Sequence, residues 1–209
     1  MINDITWRIL LIILLLANYN AAIVDVETAF LHGILDEEIY MDCPPGFDFG
    51  EGNCVLLQKS IYGLVQAARQ YYKKFVGELS KRGYICGKVD PCLVMKKWRT
   101  EALFMSIHVD DSLIIGPTHQ INETIEVLKD AGFTLKIEGE LEDYLSCEIK
   151  IDRKNKSATI HQPHLLLKLE RKFGKLVMEK GNYDTPGTPH SHVQSSEENK
   201  IGEEEHKLY

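Results

Sequence analysis

Apolar residues recur along this chain at two different spacings, which predict helices in some segments and strands in others. Residues 7–17 form an apolar run that predicts a short buried helix, and residues 21–26 form one that predicts a buried strand. The clearest helix is predicted over residues 63–82, where an apolar stripe recurs at helical spacing: Leu64, Ala67, Ala68, Tyr71, Tyr72, Phe75 and Leu79.

The rest of the chain predicts strands joined by turns, together with two further helices. Strands are predicted at 38–42, 55–57, 92–97, 103–109, 113–115 and 133–137, and a hairpin at 144–161. Helices are predicted at 120–131 and from Pro163 onward. Beyond Tyr183 the sequence is rich in Pro, Gly, Ser, His and Glu, and we expect no packed core there.

Three aspartates interrupt the apolar strands. Asp25 lies within the strand predicted at 21–26, and the pair Asp110–Asp111 separates two strand segments, which predicts a hairpin with both carboxylates at or near its tip. Carboxylates are rarely buried unless they are paired or bind metal, and neither strand has a basic residue nearby in sequence. If the strands are neighbours, divalent cations would relieve the repulsion between them. The alternative is two solvated turn aspartates and an edge-strand Asp25.

Length and composition narrow the class of protein. The 209 residues suit one domain, or one domain and part of another, and 44% hydrophobic with 26% charged residues excludes a wholly disordered or fibrous chain. Five scattered cysteines without a CxxC pair argue against a disulfide framework or a zinc module, and predict an intracellular protein, cytoplasmic or nuclear. The apolar run at 9–17 has nine residues against about 20 needed to span a bilayer, so no membrane partner is expected.

The net charge of −7 conceals alternating blocks of opposite charge. Residues 20–52 carry eight acids and no Lys or Arg, whereas residues 59–99 carry ten bases and two acids. Residues 100–149 are acidic again, with eleven acids and two bases, and residues 150–180 are basic, with nine bases and three acids. A site that binds divalent cations and also contacts a phosphate backbone needs such blocks, although a solvated surface would show them as well.

Several stretches resemble the polymerase motifs of copia-type retrotransposon reverse transcriptases, and they occur in that family's order. The first runs through 24–33, 38–41 and 44–47, and the second covers 57–69. The third combines 89–93 with 108–115, where Val109, Asp110 and Asp111 match the motif that the family writes as YVDD. Residues 139–141 and 144–145 resemble its later motifs, so that the resemblance covers roughly residues 8–180.

The resemblance implies an RNA-directed DNA polymerase with an α+β fold, in which a palm has an antiparallel sheet backed by helices, with incomplete fingers and a partial thumb. The implied domains are a palm with a remnant of the fingers at 1–149, the start of a thumb or connection at 150–180, and a flexible acidic tail at 181–209. Asp25, Asp110 and Asp111 would be the catalytic carboxylates. Together with the Val26 carbonyl they would hold two magnesium ions, with manganese as a substitute.

The resemblance also implies residues that bind the nucleotide and the nucleic acid. Phe30 would be an aromatic gate that excludes a 2′-hydroxyl, Gly63 and Gln66 would lie beside the deoxynucleoside triphosphate and the template base, and Lys136 would contact the leaving pyrophosphate. The predicted phosphate contacts of the primer and its RNA or DNA template are Lys73, Lys74, Lys81 and Arg82. The structural alternatives are a core Phe30, packing at the start of a helix for Gln66, and solvated lysines.

Departures from the family pattern leave the activity open. His108 stands where the third motif has an aromatic residue, and Gln70–Tyr71 stands where the family often has tryptophan. The chain begins inside the family's pattern and ends before the region that leads to RNase H, so we expect integrase and RNase H domains elsewhere in a longer polyprotein. An active polymerase, a truncated inactive remnant and a different two-metal palm, such as a nucleotide cyclase, all remain compatible with the sequence.

Overall fold

The computed structural model describes residues 2–47, 50, 54–138 and 141–180. The chain forms two compact units, one of residues Met1–Leu145 with Ile149–Ile160, and one of Ser146–Glu148 with the chain from His161 onward. The predicted tail at 181–209 and motif residues 139–140 lie outside the described part. The predicted limits of palm, thumb and tail remain a prediction. In the described ranges no helix is both long and apolar enough to cross a membrane.

The described residues form four helices, one 3₁₀ turn and eleven strands. The helices are α1 (Asp4–Ala17), α2 (Ala67–Ser80), α3 (Thr118–Asp130) and α4 (Pro163–Lys180), and a 3₁₀ turn spans Ala29–His32. The strands are β1 (Asn20–Val26), β2 (Tyr40–Asp42), β3 (Cys54–Leu56), β4 (Ile85–Cys86), β5 (Leu93–Trp98), β6 (Glu101–His108), β7 (Asp111–Gly116), β8 (Leu135–Glu138), β9 (Asp143–Tyr144), β10 (Cys147–Asp152) and β11 (Ser157–His161).

A six-stranded sheet in the order β4-β5-β6-β7-β1-β8 organises the first unit, and its strands pair antiparallel. The antiparallel α+β architecture expected from the sequence is therefore confirmed at that level. β6 and β7 form the predicted hairpin, and β1 pairs with β7 on one side and with β8 on the other. β2 pairs with β3, and a third sheet has the order β11-β10-β9.

The two faces of the six-stranded sheet differ because side chains alternate along each strand. One face packs against α2 and α3 through a hydrophobic cluster that includes Val24, Val26, Met105, Ile107, Ile114, Tyr71, Phe75 and Leu128. The other face carries Ile23, Leu113 and Ser106, which are paired across the strands. On this second face the Ser106 hydroxyl lies 2.9 Å from the Tyr144 hydroxyl, and Trp7 of α1 packs edge-to-face on Tyr144.

Local chemistry sets the ends of the helices and corrects some predicted boundaries. α1 begins three residues before its predicted start, because the side chain of Asn3 accepts a hydrogen bond from the backbone N–H of Ile5. α2 begins at Ala67 and not at Gly63, whose φ of +98° is incompatible with a helix. The short β4 and the 3₁₀ turn were not expected from the sequence.

The second unit contains α4 and a polar contact near its start. The side chain of Gln162 donates to the sulfur of Cys147 at 3.3 Å. α4 presents a run of exposed leucines, Leu165, Leu166, Leu167 and Leu169. The helix predicted from Pro163 onward is confirmed.

Candidate active site

Four side chains form one row across four neighbouring strands. In the register of the sheet, the Cα of His108 pairs with that of Asp111, Asp111 pairs with Asp25, and Asp25 pairs with Lys136. Directly paired residues point to the same face, with Cβ atoms about 4.5–5.5 Å apart. The row therefore places two carboxylates side by side, with an imidazole at one end and an ammonium group at the other. The expectation that the aspartate-bearing strands are neighbours is confirmed.

Asp110 lies at the tip of the β6–β7 hairpin, in a two-residue loop with Val109. Val109 has a φ of +57°, a conformation that is unusual for a β-branched residue and that concentrates backbone strain at this turn. The backbone N–H of Val26 donates to the carbonyl of Asp110 at 3.0 Å. This bond ties the tip of the hairpin to the end of β1, and so brings Asp110 next to the strand that carries Asp25.

The carboxylates of this cluster repel one another. Burial raises the pKa of Asp25, and the negative charge of Asp110 raises it further, while Lys136 acts in the opposite direction. Burial likewise raises the pKa of Asp111, followed by the charges of Asp110 and Asp25, with His108 opposing them. In the described part of the chain none of the three carboxylates forms a salt bridge, and Lys136 itself contacts Glu138 at 3.2 Å.

These carboxylates suit a hard divalent cation in their chemistry. Carboxylate oxygens are the ligands that Mg²⁺ and Mn²⁺ prefer, and a cation would neutralise the repulsion that adds to the effect of burial on the two pKa values. Among the described residues, however, no group of three or more His, Cys, Asp and Glu side chains is already arranged as a metal site. The carbonyl of Val26, predicted to reach a metal, belongs to the last residue of β1.

The predicted gate residue Phe30 lies in the 3₁₀ turn that follows β1. Its ring is half-buried and packs against Tyr62, with ring centroids 4.8 Å apart. The hydroxyl of the fully buried Ser60 donates to the carbonyls of Phe30 and Gly33, and the backbone N–H of Ser60 donates to Gly33 at 2.9 Å. These bonds anchor the turn that carries Phe30 to the segment that leads into α2.

Gly63 and Gln66, the other predicted nucleotide-binding residues, lie just before α2. Gly63 has a positive φ and open space around it, so a ligand can approach its backbone. The side-chain amide of Gln66 instead donates to Glu37 at 2.8 Å. The sequence predicted packing at a helix start as the alternative for Gln66; the structure shows a hydrogen bond to an acidic loop.

The predicted phosphate contacts, on α2 and just after its end, all have carboxylate partners. Lys73 contacts Asp36 at 2.8 Å, and the same aspartate accepts a hydrogen bond from Gln70. Three other bases surround a single acid, Glu78, at 2.8–3.1 Å: Lys74, Lys81 and Arg82. These contacts lower the pKa of Glu78 to about 2.

Sequence reasoning missed these acidic partners, although part of the signal was present. Lys74 and Arg82 lie four residues on either side of Glu78, a spacing that favours ion pairs on a helix. The cluster of Lys74, Glu78, Lys81 and Arg82 retains an excess of two positive charges, from three bases and one acid. It can therefore still attract phosphate. Asp36, by contrast, is far from Lys73 in sequence, and only the fold brings them together.

Comparison with known proteins places the chain in a defined group. The family model described as reverse transcriptase (RNA-dependent DNA polymerase) matches residues 3–184. The chain is 41% identical, over 120 residues, to the retrovirus-related Pol polyprotein from transposon TNT 1-94 of Nicotiana tabacum, an alignment that covers 56% of this chain and 8% of the relative. It is 36% identical over 130 residues to the corresponding polyprotein from transposon RE1 of Arabidopsis thaliana, covering 60% of this chain and 9% of that protein.

A more distant relative aligns over nearly the whole chain. The Transposon Ty1-DR1 Gag-Pol polyprotein of Saccharomyces cerevisiae is 29% identical over 208 residues, which cover 91% of this chain and 11% of the relative. The chain thus spans about a tenth of the length of these curated relatives. No solved structure matches it.

Proposed function

The chain belongs to the reverse transcriptase (RNA-dependent DNA polymerase) family, as the reverse transcriptase domain of a copia-type retrotransposon Pol polyprotein, and from that premise we propose that it forms the palm of a polymerase that copies RNA into DNA. In the proposed reaction the 3′-hydroxyl of a primer attacks the α-phosphorus of a deoxynucleoside triphosphate. The new P–O bond forms as the bond between the α-phosphorus and the oxygen bridging to the β-phosphate breaks, the hydroxyl proton passes to solvent, and pyrophosphate leaves.

The observation that carries this proposal is the pairing of Asp25 with Asp111, beside Asp110 at the hairpin tip. Three neighbouring carboxylates without a salt bridge within the described residues form an electrostatically unfavourable group, and the pKa values of Asp25 and Asp111 are raised first by burial and then by the neighbouring negative charges. Such an arrangement is expected at a functional site whose carboxylates bind a cation. The family match and the geometry therefore support the same site.

Asp25 and Asp110 would hold the two divalent cations, with Asp111 and the carbonyl of Val26 completing the protein ligands. Magnesium is the proposed ion, and manganese would fit the same oxygen ligands. A bound pair of cations supplies charge stabilisation to the attacking and leaving oxygens. The chain itself contributes the fixed positions of the carboxylates, because the pairing of β1 with β7 and the bond from Val26 to the hairpin tip hold them on rigid elements.

The residues around the acids would bind the nucleotide. Phe30, supported by the Tyr62 ring and anchored through Ser60, would pack against the deoxyribose and exclude a 2′-hydroxyl. The open backbone at Gly63 would admit the nucleotide, and Gln66 would reach the template base after release from Glu37. Lys136 pairs with Asp25 in the sheet, and its ammonium group would hold the negative charge of the leaving pyrophosphate.

The basic side chains of α2 would contact the phosphates of a primer bound to an RNA or DNA template. The cluster around Glu78 supplies its two excess positive charges, and Lys73 would exchange Asp36 for a phosphate. In the complete element we expect integrase and RNase H domains as covalent partners, and activity in the cytoplasm or nucleus.

Primer extension tests the proposal. The purified chain is incubated with a DNA primer on an RNA template, deoxynucleoside triphosphates and Mg²⁺, beside the variants Asp110→Asn and Asp130→Asn. Asp130 is an exposed acid at the end of α3, outside the cluster, and serves as the matched control. We expect extension by wild type and Asp130→Asn, and a loss of at least about a hundredfold for Asp110→Asn. Failure of wild type to extend a primer that it binds would support an inactive remnant in place of a polymerase.

A further inference from the structure

Tyr71 of α2 carries a buried hydroxyl without a hydrogen-bond partner. The side chain is only 1% exposed, and within the described residues no donor or acceptor lies in bonding distance of its oxygen. Buried polar groups in folded proteins nearly always have a partner, because an unsatisfied one loses its bonds to water without compensation. The hydroxyl is therefore available to a partner that comes within hydrogen-bond distance in another state of the site.

The surroundings of Tyr71 locate that partner near the acidic cluster. Tyr71 belongs to the same buried cluster as Val26, the last residue of β1, and Ala29, the first residue of the 3₁₀ turn. A Cβ atom on Gly33 would lie 3.0 Å from the backbone nitrogen of Tyr71, so this turn of α2 lies directly against the segment that carries Phe30. The hydrogen bond from the backbone N–H of Val26 to the carbonyl of Asp110 holds the hairpin tip beside the end of β1.

The acids of the cluster lie near enough to Tyr71 to influence the pKa of its hydroxyl. Burial raises the pKa of Tyr71 most, and the negative charges of Asp110, Asp25 and Asp111 follow in that order, ahead of Tyr62. The hydroxyl consequently keeps its proton over the whole physiological range and can act only as a neutral donor toward the acids. Of the three acids, Asp110 has the strongest influence on it.

We propose that Tyr71 is a positioning residue of the metal site, whose hydroxyl donates a hydrogen bond to the carboxylate of Asp110 and holds it in the orientation that binds the cation. Hydrogen bonds to carboxylate ligands of this kind fix their orientation and commonly change metal affinity by about 10- to 100-fold. This role rests on the proposed function, since it requires that Asp110 bind a divalent cation. The proposal gives a role in metal binding to a side chain outside the acidic motifs.

Mn²⁺ binding, measured by electron paramagnetic resonance and by calorimetry on the full chain, tests the proposal with the variants Tyr71→Phe, Tyr72→Phe and Asp110→Asn. Tyr72→Phe is the matched control, because the neighbouring tyrosine donates to the carbonyl of Pro91 and is only half-buried. Tyr71→Phe keeps the ring and removes only the unpartnered hydroxyl, so its melting temperature should equal or exceed that of wild type.

We expect Tyr71→Phe to bind Mn²⁺ about tenfold more weakly than wild type, and Tyr72→Phe to bind it equally well. Equal affinities of Tyr71→Phe and wild type, with Asp110→Asn clearly weaker, would overturn the role of Tyr71 and leave the metal site intact. Binding by wild type that is no tighter than binding by Asp110→Asn would overturn the metal site itself, and the role of Tyr71 with it.

Discussion

The Cα atoms of Asp25 in β1 and Asp111 in β7 are directly paired across two antiparallel strands, with both side chains on the same face of the sheet. Like charges in that relationship destabilise a sheet by up to about 1 kcal/mol. The next pair of β1 and β7 on this face, Ile23 with Leu113, is apolar. The acidic pair is thus a local cost to stability that a bound cation would remove.

Asp25→Asn should stabilise the metal-free chain at neutral pH. The folded state holds the pKa of Asp25 above its ordinary value of 3.8, so the folded state binds a proton more readily than the unfolded state does. Stability is therefore lost as the pH rises from 3.8 through the raised pKa, and the asparagine variant avoids this loss. Urea denaturation in the presence of EDTA should show a gain of about 0.5–1 kcal/mol at pH 7 that shrinks as the pH falls toward 3.8.

The same variant should lose its response to divalent cations. Mg²⁺ should raise the melting temperature of wild type by preferential binding to the folded state, and should leave that of Asp25→Asn unchanged. Asp130→Asn, which alters an exposed acid, serves as the control and should behave as wild type in both measurements. A lower stability of Asp25→Asn at pH 7 without metal would contradict the idea that the carboxylates repel.

Some parts of this site could be predicted from the sequence and others could not, for a physical reason. The apolar context of Asp25 and the hairpin around Asp110 are local patterns, so the sequence predicted those strands, whereas only the resemblance to the family implied that the acids meet. The position of Lys136 beside Asp25 depends on the pairing of β1 with β8, which joins segments about a hundred residues apart. No local pattern in the sequence indicates how β1 and β8 are aligned.

The helix boundaries and the charges of α2 show the same distinction. The apolar stripe predicted the helix, but the predicted helix began at Gly63, where a positive φ prevents helical structure. The lysines of the helix could be located from the sequence, but their partners could not all be foreseen. Glu78 is local to α2, whereas Asp36 reaches Lys73 only because the loop before β2 folds onto the helix.

Phe30→Ala should relax the discrimination between deoxyribonucleotides and ribonucleotides. The ring of Phe30 would no longer occupy the space of a 2′-hydroxyl, so the ratio of kcat/KM for the two substrates should fall by about 10- to 100-fold. Steady-state single-nucleotide incorporation measures that ratio. Tyr62→Phe is the control, since it preserves the ring that packs 4.8 Å from Phe30. An unchanged ratio in Phe30→Ala would mean that Phe30 is a core residue and not a gate.

Glu78→Gln should lower stability and strengthen nucleic-acid binding at the same time. The folded state holds the pKa of Glu78 near 2, below its ordinary value of 4.5, so its stabilising effect is present above pH 4.5 and is lost as the pH falls toward 2. Removing the charge should cost about 1 kcal/mol at pH 7, because three partly exposed ion pairs are broken.

The affinity of Glu78→Gln for a primer–template duplex should rise, although its stability falls. The cluster gains one positive charge, so the slope of log affinity against log salt should become steeper by up to about 1. Fluorescence anisotropy across a salt series measures this slope. Glu126→Gln, which breaks the exposed pair with Lys129 on α3, should leave it unchanged. A parallel loss of stability and of duplex affinity would show that the α2 cluster is structural only.

Gly33→Ala should destabilise the chain by about 1–3 kcal/mol through overpacking. Gly33 has an ordinary φ of −68°, so the backbone accepts alanine and only space is limiting. The new methyl group would overlap the Ser60 hydroxyl and would lie 2.9 Å from the Cβ of Gln70. The displaced Ser60 would release the carbonyl of Phe30. The rate of nucleotide incorporation should therefore fall by a larger factor than the loss of folded protein alone would cause.

Gly77→Ala provides the matched glycine substitution. Gly77 lies within α2, and a Cβ there meets no atom within 4 Å, so alanine should stabilise the helix by about 0.5–1 kcal/mol. Urea denaturation of both variants should therefore give changes of opposite sign. A Gly33→Ala variant as stable as wild type would mean that the contact between the Phe30 turn and α2 is loose, and a loose contact could not fix the position of Phe30 or of Tyr71.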